Sequence, residues 1–216
     1  SSSSFSPTSG TNYIYSQQDD ASFKRLTKTI DLTGQTVASM SFQISHDTEV
    51  DWDYVFVEAH TVGLDDWTTL PDLNGNTTQD TGLSCPAFPI TEFHPRLAHY
   101  MTYTGPAGGS GDPADCTPAG STGGVWNAAS GNSGGFHEWN VDLSNYQNKL
   151  VEVSISYSSD AGVQGLGVFV DDIAEVPPGR PIMLSAHGSA PEVVAAARAS
   201  GGYVVDAVCP LVTKVH

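Results

Sequence analysis

The sequence contains few basic residues. Of 216 residues only 8 are lysine or arginine, whereas 24 are aspartate or glutamate, and the net charge is −16 at neutral pH. A surface with this much negative charge repels phosphate backbones and anionic headgroups. We therefore exclude nucleic acid and anionic lipid as partners, and we expect cations to be the ligands that the surface attracts.

Long apolar runs are also absent. No stretch approaches the roughly 18 apolar residues that a membrane span needs, so we expect no membrane span. No amphipathic helix longer than a turn is predicted before residue 176. Residues 1–12 are rich in serine and lack the regions of a signal peptide, and we interpret them as a flexible linker.

Cysteine is scarce as well, with three residues in the whole chain. Cys85 and Cys116 lie in a stretch rich in glycine and proline, where a disulfide would restrain the loops. We predict that these two are bridged, which indicates an oxidising compartment and a secreted protein. Cys209 is left without a partner.

Short alternating strands make up most of the chain. In residues 38–45, Met40, Phe42 and Ile44 recur with a period of two, and an apolar run at 168–170 ends in Asp171 and Asp172. Strands separated by turns, with a long irregular stretch at 74–133, indicate an all-β protein. The predicted fold is an antiparallel jelly-roll β-sandwich.

Composition changes at residues 177–180, PPGR. Up to residue 176 there are 5 basic and 22 acidic residues, and afterwards there are 3 and 2. An apolar strand, an alanine-rich helical stretch and a second strand follow, which predicts a short C-terminal β-α-β fragment. The predicted organisation is a linker (1–12), a jelly-roll domain (13–176), a second linker (177–180) and a fragment (181–216).

The acidic residues suggest a cation site. Asp47, Glu49, Asp51 and Asp53 alternate before a strand, and Asp171 and Asp172 end another. Calcium takes six to eight oxygen ligands, often from loops distant in sequence. We therefore expect a structural calcium ion, for which the ligands are Asp51, Asp53, Asp171 and Asp172.

Two catalytic motifs are rejected. GNSGG at 131–135 matches Gly-x-Ser-x-Gly, but it lacks the strand and helix that flank a nucleophile elbow. His46 and Glu49 have a zinc-binding spacing, but they lack a third ligand and a general base. A third possibility, sugar stacking, remains open for four aromatic side chains, although we expect them to pack in the core. They are Trp52, Trp67, Trp126 and Trp139.

From about residue 13 to 176 the chain resembles a family of C-terminal accessory β-sandwiches, which are similar to MAM-type jelly rolls. They occur in secreted bacterial metallopeptidases of the immune inhibitor A-like type. The matching stretches are IDLTGQTVASMSFQIS, DTEVDWDYVFVEAHTVGLDDWTTLPD, NAASGNSGGFHEWNVDLSNYQNKLVEVSISYSSD and QGLGVFVDDI. The resemblance implies an exported, calcium-stabilised, non-catalytic module whose partner is a peptidase domain or an extracellular polymer.

Residues 181–216 resemble an internal fragment of hydroxymethylbutenyl diphosphate reductase, an iron–sulfur enzyme of isoprenoid synthesis. SAHG at 185–188 and DAVCPLVTKVH at 206–216 carry the resemblance. It implies that His187 contacts the substrate diphosphate and that Cys209 ligates the cluster. Because one thiolate does not hold such a cluster, no intact iron–sulfur cluster is expected.

The sequence therefore predicts a non-catalytic accessory module with a vestigial reductase-like tail. One alternative is a fragment of, or fusion to, a 4Fe-4S hydroxymethylbutenyl diphosphate reductase. Another is a module for carbohydrate binding or self-association.

Overall fold

The computed structural model describes Thr8, residues 13–35 and 37–171, and the backbone of residues 182–184 and 204–206. Helix in these residues is confined to single turns. In chain order the elements are β1 (Ile14–Tyr15), β2 (Phe23–Asp31), β3 (Ser39–Asp47), β4 (Tyr54–Thr61), β5 (Thr68–Leu70), α1 (Ser84–Ala87), α2 (Ile90–Phe93), β6 (Thr102–Tyr103), β7 (Cys116–Thr117), β8 (His137–Asp142), β9 (Leu150–Ser158), β10 (Gly167–Asp171), β11 (Ile182–Leu184) and β12 (Val204–Asp206).

Two four-stranded antiparallel sheets form the main body. The front sheet has the order β1-β10-β3-β8, and the back sheet has the order β2-β9-β4-β5. In the back sheet β9 pairs along its length with β2, from Phe23 opposite Ser158 to Asp31 opposite Leu150. The prediction of an all-β, antiparallel protein is confirmed.

The alternation expected in β3 is present in the structure. Met40, Phe42 and Ile44 are buried, and the intervening residues are only half-buried, because successive side chains of a strand point to opposite faces. The buried face belongs to an apolar core that also takes side chains from the back sheet, such as Val57 and Val153. Apolar burial of this kind stabilises the fold by about 25 cal/mol per Å² removed from water.

The long irregular stretch packs against the outer face of the back sheet. We call residues 74–133 the insertion. It buries Ile90, Leu97 and Trp126 in a cluster with Tyr54 and Phe56 of β4. Since Val55 and Val57 of the same strand are also in the main core, β4 is buried on both faces. This double burial explains the uninterrupted apolar run of YVFV.

A disulfide lies inside the insertion. The structure joins Cys85 and Cys116, the pair expected from the sequence, with 6.4 Å between their Cα atoms. Both cysteines are buried. The bridge fixes α1 to β7, in a region where regular strands are short.

The tryptophans are mostly packed. Trp67, Trp126 and Trp139 are buried, and Trp52 is half-buried. The indole Nε1 of Trp126 donates a hydrogen bond to the carbonyl O of Asp80 at 2.8 Å. This placement favours the expected role in the core over an exposed platform for sugars.

Beyond the sandwich, β11 and β12 pair in parallel, with Ile182 opposite Val204. Parallel neighbours need a crossover of about a dozen residues or more, and residues 185–203 separate these two strands in the sequence. The predicted helix lies in that crossover, outside the described residues, as do the linker at 177–180 and most of residues 1–12. None of the described helices is long and apolar enough for a transmembrane segment.

Candidate functional site

The predicted calcium ligands do not meet in the described part of the chain. Asp53 is fully buried, and its carboxylate accepts hydrogen bonds from the Tyr157 hydroxyl at 2.9 Å and from the Asp160 N–H at 3.0 Å. Asp171 ends β10, and its Oδ2 accepts a hydrogen bond from the Thr8 hydroxyl at 2.5 Å. Asp172 lies outside the described residues.

No group of three or more histidine, cysteine or acidic side chains able to hold a metal ion occurs among the described residues. Asp53 was expected to be a ligand, but its oxygens already bind protein donors. Burial raises the pKa of the Asp53 carboxyl, although the hydrogen bonds from Asp160 and Tyr157 oppose that effect. Its role in the structure is to fix the chain after β9 against the start of β4.

A polar cavity of about 460 Å³ opens between the end of β3, the start of β4 and the insertion. Its floor is formed where the insertion pairs with itself and with β4, at the bridges Thr78 to Ala128 and Val55 to Ala129. Gly82 lies at φ +61°, and a Cβ there would clash with the Tyr54 hydroxyl. The lining residues are His46, Asp51, Tyr54, Asn76, Thr78, Asp80, Gly82, Ala128, Ala129, Ser130, Asn132, Ser133, His137 and Trp139.

Both rejected motifs border this cavity. The Ser133 hydroxyl lies 2.8 Å from the carbonyl O of Gly135 and accepts the His46 backbone N–H at 2.9 Å. The His46 ring donates from Nδ1 to the carbonyl O of Gly131 at 2.8 Å. Serine and imidazole therefore bond to backbone rather than to each other, and no nucleophile–base pair forms here.

Negative charge surrounds the Tyr54 end of the cavity. Burial raises the pKa of the Tyr54 phenol, and the carboxylates of Asp51 and Asp80 raise it further. The phenol oxygen lies 2.8 Å from the carbonyl oxygens of both Asp51 and Thr81 and accepts a hydrogen bond from Ser84. Tyr54 therefore stays protonated and holds the rim of the cavity to β4.

A buried carboxylate on the outer face of the back sheet was missed by the sequence analysis. Glu58 is fully buried and forms ion pairs with Arg25 Nε at 2.7 Å and Arg96 Nε at 3.0 Å. The hydroxyls of Ser156 and Tyr100 also donate to it. We call these five residues the Glu58 cluster.

Trp67 covers the Glu58 cluster. The guanidinium groups of Arg96 and Arg25 lie 3.7 Å and 5.0 Å from its ring centroid, and the His60 ring stacks on it at 3.7 Å. The sequence contained a signal for the burial of Glu58. This residue follows Tyr54 and Phe56 at intervals of two in the same strand and therefore shares their buried face. A carboxylate at such a position requires cationic partners.

The C-terminal region matches a known family. The family model described as LytB protein matches residues 152–216. The chain is 49% identical over 71 residues to 4-hydroxy-3-methylbut-2-enyl diphosphate reductase of Leifsonia xyli, a stretch that covers 33% of this chain and 21% of the relative. It is 59% identical over 49 residues to the reductase of Nocardia farcinica, covering 23% and 15%. The chain thus spans about a fifth or less of the length of these relatives.

These findings correct the predicted function. A non-catalytic accessory module of a secreted metallopeptidase was expected, but the matched relatives are reductases, which are enzymes. The prediction that the chain is not an enzyme is contradicted by these relatives, although the matches cover only a fragment of the chain. The peptidase-associated, calcium-binding and secreted assignments are likewise not supported, because the similarity found is to the reductase family. The predicted resemblance to that reductase is confirmed.

The similarity and the fold have different boundaries. Residues 152–171, at the start of the family match, form most of β9 and all of β10. These strands pair with β2 and β4 in the back sheet and with β1 and β3 in the front sheet. Residues 172–216 are therefore the part of the family match that follows the last strand of the sandwich. His187 and Cys209 lie there, outside the described residues.

The cysteines of this chain do not fit an iron–sulfur cluster. Of three cysteines, Cys85 and Cys116 are joined to each other. Cys209 alone is left as a thiol, whereas clusters are typically held by four cysteine thiolates. A cluster would need thiolates from outside these 216 residues.

Proposed function

We propose that residues 177–216 are a segment of a 4-hydroxy-3-methylbut-2-enyl diphosphate reductase. The observation that carries this proposal is the family match, which covers residues 152–216 and therefore includes the whole segment. Identity of 59% over 49 residues to the Nocardia farcinica reductase supports it. In this proposal the sandwich is a separate unit that precedes the segment.

Within the segment, we assign two roles. His187 contacts the diphosphate of the substrate, because an imidazole donates hydrogen bonds to phosphoryl oxygens. Cys209 supplies one thiolate for a cluster. Since this chain offers no second free thiol, the proposal includes no reductase turnover by the chain alone.

A segment exchange tests the proposal. Residues 177–216 of this chain replace the aligned stretch of the Nocardia farcinica reductase, and the chimera is reconstituted anaerobically with iron and sulfide. We expect the absorbance of a cluster and measurable reductase activity. Cys209→Ser should abolish the absorbance, and His187→Ala should raise KM about tenfold or more while the cluster remains.

A matched control is Ser200→Ala in the same segment, which should leave both readouts unchanged. A folded chimera whose cluster content is the same with Cys209→Ser would contradict the assigned role of the cysteine. A chimera that binds its cluster but turns over at the same KM with His187→Ala would contradict the role of the histidine.

For the sandwich, we propose a jelly-roll topology within domain limits of 13–176. Support comes from the chain path, which passes from β1 in the front sheet to β2 in the back, returns to β3 and crosses again to β4. The same crossing recurs from β8 to β9 to β10. Limited proteolysis should cut first between residues 172 and 181, and early cleavage inside β9 would contradict these limits.

A further inference from the structure

The polar cavity beside β3 and β4 has an unusual balance of charge. Its lining contains two carboxylates, those of Asp51 and Asp80, and no lysine or arginine. The carboxylate of Asp51 makes no hydrogen bond or ion pair with the other described residues. Asp80 accepts one hydrogen bond, from the Gly82 N–H at 2.8 Å. The negative charge of the cavity is therefore not neutralised by the described part of the protein.

A buried imidazole supplies a second, independent feature. His46 is 5% exposed and lines the cavity. Because its Nδ1 faces the carbonyl O of Gly131, Nδ1 carries the hydrogen and Nε2 has a free lone pair in the neutral ring. No described residue donates to Nε2. Burial lowers the pKa of His46, which favours this neutral form.

The charge and the hydrogen-bonding groups of the lining indicate which class of ligand the cavity can bind. An anion is disfavoured because no lysine or arginine lines the cavity and the chain carries a net charge of −16. A metal ion is disfavoured because no group of three suitable ligands occurs among the described residues. A ligand with several N–H donors and a positive charge complements two carboxylates and a neutral imidazole acceptor.

We propose that this cavity binds a small organic cation, whose primary ammonium group donates hydrogen bonds to Asp51 and Asp80 and whose second N–H group donates to His46 Nε2. A volume of about 460 Å³ accommodates a ligand the size of a lysine side chain. The exposed amides of the rim, such as Asn132, would contact the rest of the ligand. This proposal concerns the sandwich and does not depend on the reductase segment.

Calorimetric titration of the full chain tests the proposal. The probe is Nα-acetyl-lysine amide, and its matched neutral form is Nα,Nε-diacetyl-lysine amide. We expect saturable binding of the charged probe, and at least tenfold weaker binding of the neutral one. Asp51→Asn should weaken binding about tenfold, the loss expected for one charge-assisted contact of about 1.4 kcal/mol. Asparagine tolerates the φ of 66° at this position, so the backbone is retained.

Asp80→Asn is the second variant, since the exposed Asp80 is outside the core. Glu92→Gln removes one exposed charge away from the cavity and should leave the affinity unchanged. Equal affinity for the two probes would overturn the proposal, as would equal weakening by Glu92→Gln and Asp80→Asn, which would indicate attraction to net charge alone. Saturable binding of glucose in place of either probe would assign the cavity to polyols and would also overturn it.

Discussion

The sandwich and the C-terminal segment differ in both charge and cysteine chemistry. Up to residue 176 there are 5 basic and 22 acidic residues, whereas the remainder has 3 and 2. The sandwich contains a disulfide, and the segment contains the single remaining cysteine, Cys209. Disulfides persist in oxidising compartments, whereas a cluster ligand must be a free thiolate.

Under the proposed role of Cys209 as a cluster ligand, the two regions have opposite redox requirements. Sequence similarity also crosses the structural boundary, because residues 152–171 match the reductase family and yet form strands of the sandwich. Pairing with neighbours on both sides fixes β9 in the back sheet. The folding unit to which a strand belongs is thus defined by its hydrogen-bonded neighbours and not by its sequence similarity.

The largest change in the free energy of unfolding is expected from a substitution in the Glu58 cluster. Glu58→Gln should lower the free energy of unfolding of the sandwich by about 3 to 5 kcal/mol, because Arg25 and Arg96 lose their buried counter-charge. Urea unfolding followed by tryptophan fluorescence measures the loss. Glu152→Gln is the control: this partly exposed partner of Arg25 should contribute less than about 1 kcal/mol. Equal losses in the two variants would show that burial of the charge is not decisive.

The disulfide should have the next largest effect. Cys85 and Cys116 are 31 residues apart. A cross-link that closes a loop of that length raises the free energy of the unfolded state by roughly 3 to 4 kcal/mol. Unfolding of Cys85→Ser/Cys116→Ser should show this loss, and reductant should have no further effect on the double variant. A wild-type chain whose stability is insensitive to reductant would indicate that the insertion is held by packing alone.

Acidic pH should distinguish Asp53 from an ordinary carboxylate. Burial raises the pKa of Asp53 above 3.8, so the folded state binds its proton more tightly than the unfolded state does. The contribution of Asp53 to stability therefore falls as pH rises from about 3.8 through the raised value, by at most about 1.4 kcal/mol per pH unit. The stability difference between wild type and Asp53→Asn, measured by urea unfolding at several pH values, should shrink over this window. A difference that grows with pH would contradict the sign.

The smallest effect is expected for Cys209. Cys209→Ser should change the free energy of unfolding of the sandwich by less than about 0.5 kcal/mol, because the residue belongs to the other region. Thiol titration of the denatured, unreduced chain should fall from one thiol to none. A titre of two in the variant would show that Cys85 and Cys116 are not bridged.

Local pattern predicted the strands well. The period of two in β3 and the apolar run of β10 both indicated strands, since one face of each had to be buried. The insertion was predicted to be irregular because it is rich in glycine and proline. Its packing could not be predicted, because the buried Trp126 and Leu97 do not belong to a periodic pattern of apolar residues.

The sites were harder to predict because they depend on contacts distant in sequence. Asp53 was assigned to calcium on its acidic neighbours, although its partners, Tyr157 and Asp160, lie more than a hundred residues away. Glu58 needs Arg25 and Arg96, which come from a different strand and from the insertion. Such pairings follow from the topology of the sheets and not from spacing in the chain.

The most direct test of the account compares the full chain with a chain that ends at Val176. Both are unfolded in urea, with tryptophan fluorescence as the probe. Because β9 and β10 complete the sandwich, the account predicts the same midpoint and a free energy of unfolding within about 0.5 kcal/mol. A loss above about 1 kcal/mol, or loss of the cooperative transition, would contradict the account and show that the reductase-like segment is part of the folded sandwich.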